Sequence, residues 1–294
     1  MPWCRGGRCD ADAAGSVGAS VTPELGAAGN DVHMWPELVA GFGAGAAIAV
    51  VTVPVGVSGA VFLLPFQISV LGVPSPAITP TNLLFNVISI PGALVRYRRR
   101  GSLRSRLSGL LLMGTLPGVV IGALMRVFLI PDGALFQVLV GCLLAPLGGW
   151  LVWRSMHPGR TRTTGGGLPD RGLVALGVGA GLIGGIYGIG GGSLIAPILV
   201  GAGFLVAEVA PAALVSTFVT SCAGAASYVA IAASGVPTAG PVWSIGVACG
   251  IGGLLGGFLG ARLQERLPQR ALTAILGLLA IAIAAAYLGR AVLG

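Results

Sequence analysis

The chain has 294 residues, of which 55% are hydrophobic and 9% charged, and its mean hydropathy is +0.93. A soluble domain carries about 25% charged residues, so this composition excludes an ordinary soluble fold and points to an all-α polytopic membrane protein. The net charge of +8 comes from arginine alone, because the sequence contains no lysine. The arginines lie mostly in loops, with no interleaved aromatic beyond Tyr97. They therefore speak for membrane topology and lipid head groups, and against nucleic acid.

Residues 1–35 are rich in Gly, Ala, Ser, Asp and Pro and lack apolar periodicity. They read as a disordered tail, without the apolar core of a secretory signal. An apolar region follows over about 37–73, interrupted by Val53-Pro54 and by Val55-Gly56-Val57-Ser58-Gly59. Further segments are expected at about 77–95, 107–129 and 134–153. The loop 96–106 between the first two carries six arginines. A polar linker, 154–171, separates a first repeat (36–153) from a second (172–294). The second half then runs 173–204, broken near its middle, 207–232, 241–259 and 271–288. Its loop 262–270 is again arginine-bearing.

The break in the second half is Gly184-Gly185-Ile186-Tyr187-Gly188-Ile189-Gly190-Gly191-Gly192-Ser193-Leu194-Ile195-Ala196-Pro197. Each glycine costs about 1 kcal/mol relative to alanine in a helix interior. One helix should thus end near Tyr187 and another begin near Gly192 or Ser193. Non-helical backbone at membrane depth is tolerated only where protein or a water-filled cavity receives its polar groups, which makes the break a candidate substrate site.

The halves superimpose as sequences. Gly43-Ala44-Gly45 matches Gly179-Ala180-Gly181, and 56–65 matches 188–197. With one gap, Pro80, Asn86 and Tyr97 match Pro211, Thr217 and Tyr228, and Gly118 and Gly122 match Gly256 and Gly260. Five apolar segments per half is an odd number, so the repeats should be inverted. Placing the six-arginine loop inside then puts 154–171 and 262–270 inside too, with both termini outside.

Several sharper readings fail. Gly179-x-Gly181-x-x-Gly184 resembles a dinucleotide fingerprint but lies in an apolar helix with no preceding strand. A nucleotide-binding loop of the Gly-Lys-Ser/Thr type needs a lysine. Gly56-Val57-Ser58-Gly59 resembles an intramembrane serine protease motif, but its base would have to be histidine. His33 and His157 both lie outside the apolar segments. No enzyme, cofactor or metal site is expected. Cys142, Cys222 and Cys249 read as small buried hydrophobes.

The 188–197 run resembles the glycine-rich signature of the sulfite exporter TauE/SafE family, also called toluene-sulfonate uptake permeases. So do its weaker copy at 56–65, the arginine loop and the paired glycine helices. The likeness covers about 36–290, and departs from the pattern where Gly59 and Ala60 replace a full glycine triplet. It implies a carrier of sulfite, sulfonates or related organic acids in the cell inner (plasma) membrane.

With no basic side chain expected deep in the membrane, an anion would be held by helix N-termini near Ala60 and Gly192. Glycine there would let it approach the backbone. The candidate binding residues are Gly190, Gly191, Gly192, Ser193, Ser58, Gly59, Asn82, Asn86 and Thr217, with Thr220 and Ser221 as further donors. Against this, serines and threonines in membrane helices commonly bond their own or neighbouring backbone. Gly118/Gly122 and Gly252/Gly256/Gly260 read as small-residue packing. Arg126 is expected to snorkel to the interface, with steering of anions as the alternative. Glu208 reads as a residue at a cytoplasmic helix end, or as a proton-coupling group. The expected function is secondary transport of a small anion by alternating access, with a coupling proton, membrane lipids and a second copy of the chain as further candidate partners. A passive anion channel and a non-transporting scaffold or receptor are the alternatives.

Overall fold

The computed structural model describes residues 27–53, 58–99, 106–130, 132–156, 169–201, 206–263 and 269–293. Among them are ten α-helices: α1 Ala27–Thr52, α2 Ala60–Ser69, α3 Ile78–Arg99, α4 Arg106–Phe128, α5 Gly133–Met156, α6 Asp170–Tyr187, α7 Gly191–Gly201, α8 Val206–Ala233, α9 Trp243–Leu263 and α10 Gln269–Leu293. A 3-10 turn, Pro237–Ala239, lies between α8 and α9. The compact unit spans Pro36–Gly294. Among the described residues seven stretches are long and apolar enough to cross a membrane, so the chain is an all-α polytopic membrane protein. Helix α1 begins ahead of the apolar start expected at Glu37. The linker 157–168, most of the six-arginine loop, 264–268 and the first break's 54–57 lie outside the described residues.

Two helices are too short to cross. Helix α2 has 10 residues and α7 has 11, or about 15 Å each at 1.5 Å per residue, half of a ~30 Å hydrocarbon core. Both double back. A Cβ on Gly191, at the start of α7, would lie 3.1 Å from the Gly181 Cα, and one on Gly184 would lie 2.7 Å from the Gly191 nitrogen. Helix α7 thus returns along the helix that precedes it. The reversal is made by Gly188 and Gly190, both at φ 72°, a left-handed conformation open mainly to glycine. At the first break, Gly59 likewise sits against Ile48 and Thr52 of α1.

Direction follows from the glycine contacts. Gly114, Gly118 and Gly122 of α4 meet the Val174, Val178 and Leu182 carbonyls of α6 in rising order, so α4 and α6 run parallel. Gly252, Gly256 and Gly260 of α9 meet the Phe42, Ala46 and Val50 carbonyls of α1 in the same manner. The hypothetical Cβ-to-oxygen distances in both sets, 2.0–2.6 Å, exclude any side chain. This is the close backbone approach that small residues permit where lipid supplies no hydrophobic drive. The matched pairs Gly118/Gly256 and Gly122/Gly260 perform the same task in each repeat.

Helix α3 runs parallel to α9, since Leu84, Ile88 and Leu254 meet Gly246, Gly250 and Gly92. Helix α5 runs antiparallel to α10, with Gly141 against Leu288 and Gly148 against Gly277. The starts of α4 and α6 are joined by an Arg106–Asp170 ion pair. The helix ends that flank the three arginine-bearing connections therefore share one face, and α1 descends toward it while α6 rises from it. The two repeats are inverted, and their hairpins, α1–α2 and α6–α7, enter from opposite faces.

Candidate functional site

The two hairpin tips are buried in the protein: every residue of 58–65 and of 184–196 is shielded. Asn86 of α3 joins them. Ser58 Oγ donates to Asn86 Oδ1 at 2.7 Å, and Asn86 Nδ2 makes a long 3.5 Å bond to the Gly188 carbonyl. One turn earlier, Asn82 Nδ2 donates to the Ala60 carbonyl at 3.0 Å. Both asparagines have 0% exposure, and their one-turn spacing puts them on one side of α3.

The second tip shows how its polar groups are shared out. The last carbonyls of a helix lack intrahelical partners, and here side chains from three helices supply them. Tyr228 Oη of α8 donates to the Gly185 carbonyl at 2.8 Å, and Thr79 Oγ1 of α3 to that of Ile186 at 3.0 Å. Asn86 reaches Gly188, and Ser193 Oγ donates to the Ile189 carbonyl at 3.0 Å. Two carbonyls of the last turn of α6 and two of the turn beyond it are thereby hydrogen-bonded. The opening N–H groups of α7, at Gly191, Gly192 and Ser193, have no carbonyl one turn earlier in their own helix. The Ser221 hydroxyl oxygen and Asn82 Oδ1 are buried without a hydrogen-bond partner. Ser221 Oγ lies 3.0 Å from the point a Cβ on Gly190 would occupy, and Asn82 flanks Gly188. Both unpartnered atoms border the turn.

All nine expected site residues lie at or beside the two tips. Their surroundings revise the reason for the glycines. A Cβ on Gly190 would sit 2.5 Å from Thr217 Cγ2, one on Gly191 2.8 Å from Thr115 Cγ2, and one on Gly192 2.0 Å from the Ala213 carbonyl oxygen. The room that glycine makes is filled by α4 and α8, so in this conformation the triplet serves helix packing. Helix α7 starts at Gly191, a residue or two before the expected position, because Gly190 completes the reversal. Thr217 and Thr220 donate to the Ala213 and Ser216 carbonyls of their own helix, as membrane threonines commonly do. Ser193 lies 3.5 Å from Thr217 Oγ1. Thr115 of α4, which sequence reasoning missed, meets Ser216 at 3.0 Å. Its only sequence signal was a polar residue in an apolar helix.

Arg126 overturns the snorkelling expectation. It has 0% exposure, because α4 is enclosed by α5, α8 and the α2–α3 connection at that level. Cys142 is exposed on α5, whereas Cys249 is buried. No placement of the Glu208 side chain is described.

A concavity of about 520 Å³ lies between α5, α6 and α7, away from the tips' glycine turn. It is lined almost wholly by apolar side chains such as Leu147, Ile183 and Leu194, with Trp150 beside them, and none of its lining residues is charged. The site chemistry therefore stays with the tips.

Searches of curated proteins and of solved structures returned no match. The family model described as "Sulfite exporter TauE/SafE" matches residues 41–287. That span contains both hairpins, both glycine seams and the Asn86 bridge, and the chain belongs to the sulfite exporter TauE/SafE family of membrane transporters.

Proposed function

We propose that this chain is a secondary transporter of a small oxyanion, namely sulfite, a sulfonate or a related organic acid, working by alternating access with the arginine face in the cytoplasm. The observation that carries this reading is the unequal treatment of the two helix ends at the second tip. Four side chains cover carbonyls of the α6 end and of the turn, which would repel an anion. The start of α7, worth about half a positive charge, stays beside the unpartnered Ser221 hydroxyl. An oxyanion needs N–H and O–H donors and close approach, and no lysine or arginine is required where a helix N-terminus supplies both.

The inverted hairpins support alternation. Each enters from its own face, and the two meet at Asn86, whose bonds to Ser58 and Gly188 bridge them. Withdrawal of either tip would open the site to one side only, in the manner of inverted-repeat transporters. The tightly filled glycine contacts fit a closed conformation, in which Gly191 and Gly192 regain open space when α7 moves away from α4 and α8.

The test is flux of sulfite, sulfoacetate and a short sulfonate into proteoliposomes. Saturable uptake with counterflow is expected. Flux without counterflow would favour a channel, and no flux of any small oxyanion above empty liposomes would leave the scaffold or receptor reading.

A further inference from the structure

Arg126 is the one fully buried arginine among the described residues, and none of them gives it a negative charge as a partner. Its guanidinium donates to the Ile130 carbonyl and to Ser75 Oγ, and lies 4.0 Å from the centroid of the Phe136 ring. Its Nε is buried without a partner. Among the described residues no carboxylate pairs with it. Asp132, the nearest acidic residue along the chain, has its Oδ1 taken by the Ala134 N–H at 2.9 Å, at the start of α5. A buried ionised group is ordinarily paired or coordinated, so an enclosed guanidinium facing neutral oxygens and a ring calls for an anion from elsewhere.

The place of this group in the fold says which anion. Arg126 follows Gly122 by one helical turn, and Gly122 packs on Leu182 and Gly185 of α6. The guanidinium therefore lies just beyond the second tip, toward the face opposite the arginine loops. Two contacts tie it to that tip. The Phe136 ring that covers it is 5.6 Å, centroid to centroid, from the ring of Tyr187, the last residue of α6. Tyr228, which donates to Gly185, flanks it from α8. Phe136 thus touches both the charge and the last ring of α6, and it covers the guanidinium with a side chain that can rotate aside.

We propose that Arg126 is the charge partner of the transported oxyanion on the side of the tips away from the arginine loops, with Phe136 as the ring the anion displaces. This rests on the anion-transport reading, and adds to it the residue that selects negative charge before the ligand reaches the helix ends. Five fixed donors on a planar fork suit two oxygens of a sulfite, sulfonate or carboxylate group at once.

The experiment compares full-length wild type, Arg126→Gln, Arg126→Lys and Phe136→Leu in detergent. Each is titrated with sulfite, sulfate, 2-hydroxyethanesulfonate, acetate and short-chain phosphatidylglycerol while thermal unfolding is followed. Ligand that binds only the folded state raises its stability. At least one small oxyanion should stabilise wild type. Arg126→Gln should weaken that Kd at least tenfold with its unliganded unfolding temperature little changed, Arg126→Lys should weaken it less, and Phe136→Leu should tighten it. A lowered unfolding temperature with a wild-type Kd in Arg126→Gln means a purely structural arginine and overturns the proposal. So does stabilisation by phosphatidylglycerol alone. If Arg126→Gln fails to fold, Arg126→Lys decides, and a wild-type Kd there refutes the fork. Absence of any shift in wild type would instead defeat the anion reading itself.

Discussion

Substitution of Gly192 by alanine tests the packing of the second hairpin most directly. The added Cβ would lie 2.0 Å from the Ala213 carbonyl oxygen, 2.6 Å from Thr217 Oγ1 and 2.8 Å from the Ala213 carbonyl carbon. Ordinary contact begins at 3.4 Å, so α7 and α8 must part by about 1.4 Å. Two of the three obstacles are backbone and cannot rotate aside. Overpacking of this kind costs about 1–3 kcal/mol, and the helix-propensity gain of up to ~1 kcal/mol for Gly→Ala offsets only part of it. Gly179→Ala on the same hairpin is the control, because nothing lies within 4 Å of its Cβ position. It should be neutral or stabilise by up to about 1 kcal/mol. Thermal unfolding of the two purified variants against wild type should therefore move in opposite directions, or at least differ by about 1–3 kcal/mol. Equal unfolding temperatures for Gly192→Ala and Gly179→Ala would refute the contact between α7 and α8. Gly190→Leu should lower the unfolding temperature whether the chain is a transporter or a scaffold. Gly190 is at φ 72° with Thr217 Cγ2 2.5 Å from its Cβ position, so leucine would damage either kind of protein.

Ser221→Ala is a cleaner functional probe. The hydroxyl is buried without a partner, so its loss should leave stability within about 0.5 kcal/mol, while flux in proteoliposomes should fall severalfold; unchanged flux would remove Ser221 from the site. Tyr228→Phe deletes the donor to the Gly185 carbonyl and leaves a buried acceptor unmet, which should cost about 1–3 kcal/mol in thermal unfolding. The Arg106–Asp170 pair joins side chains that are 79% and 52% exposed, so a double-mutant cycle with alanine should return a coupling below about 1 kcal/mol. Cysteines introduced at Arg106 and Arg262 should both react with an impermeant thiol reagent from the same side of the membrane, and labelling from opposite sides would break the shared arginine face.

Much of the architecture was readable from local pattern. Apolar segments of spanning length, glycine runs and arginine loops located all ten helices, because lipid demands continuous apolar helix and leaves few alternatives. The return of α2 and α7 was half legible. Glycine density marked the breaks, but whether a broken helix continues or reverses depends on φ at Gly188 and Gly190 and on what the returning piece can lie against. Arg126 was misjudged for a related reason. Its place near the end of an apolar helix fits a snorkelling side chain, and only the closure of α5, α8 and Ser75 around it removes the route to water. The triplet Gly190-Gly191-Gly192 was legible as a break, yet the atoms that occupy its space belong to Thr115, Ala213 and Thr217, which no spacing rule connects to it.

By itself the sequence determined the membrane class, about five apolar segments per half, the repeat and its inversion. These follow from hydropathy, an odd number of segments and the placement of arginine, all of which act locally or by counting. Tertiary structure alone decided which groups meet at the tips. That Asn86 bridges Ser58 and Gly188, that Tyr228 and Thr79 cover the end of α6, and that Arg126 is enclosed by Ser75 and Phe136 all depend on contacts between different elements of the fold. They depend on how closely the glycine seams let the helices approach, and a distance of an ångström or two between backbones leaves no trace in residue order.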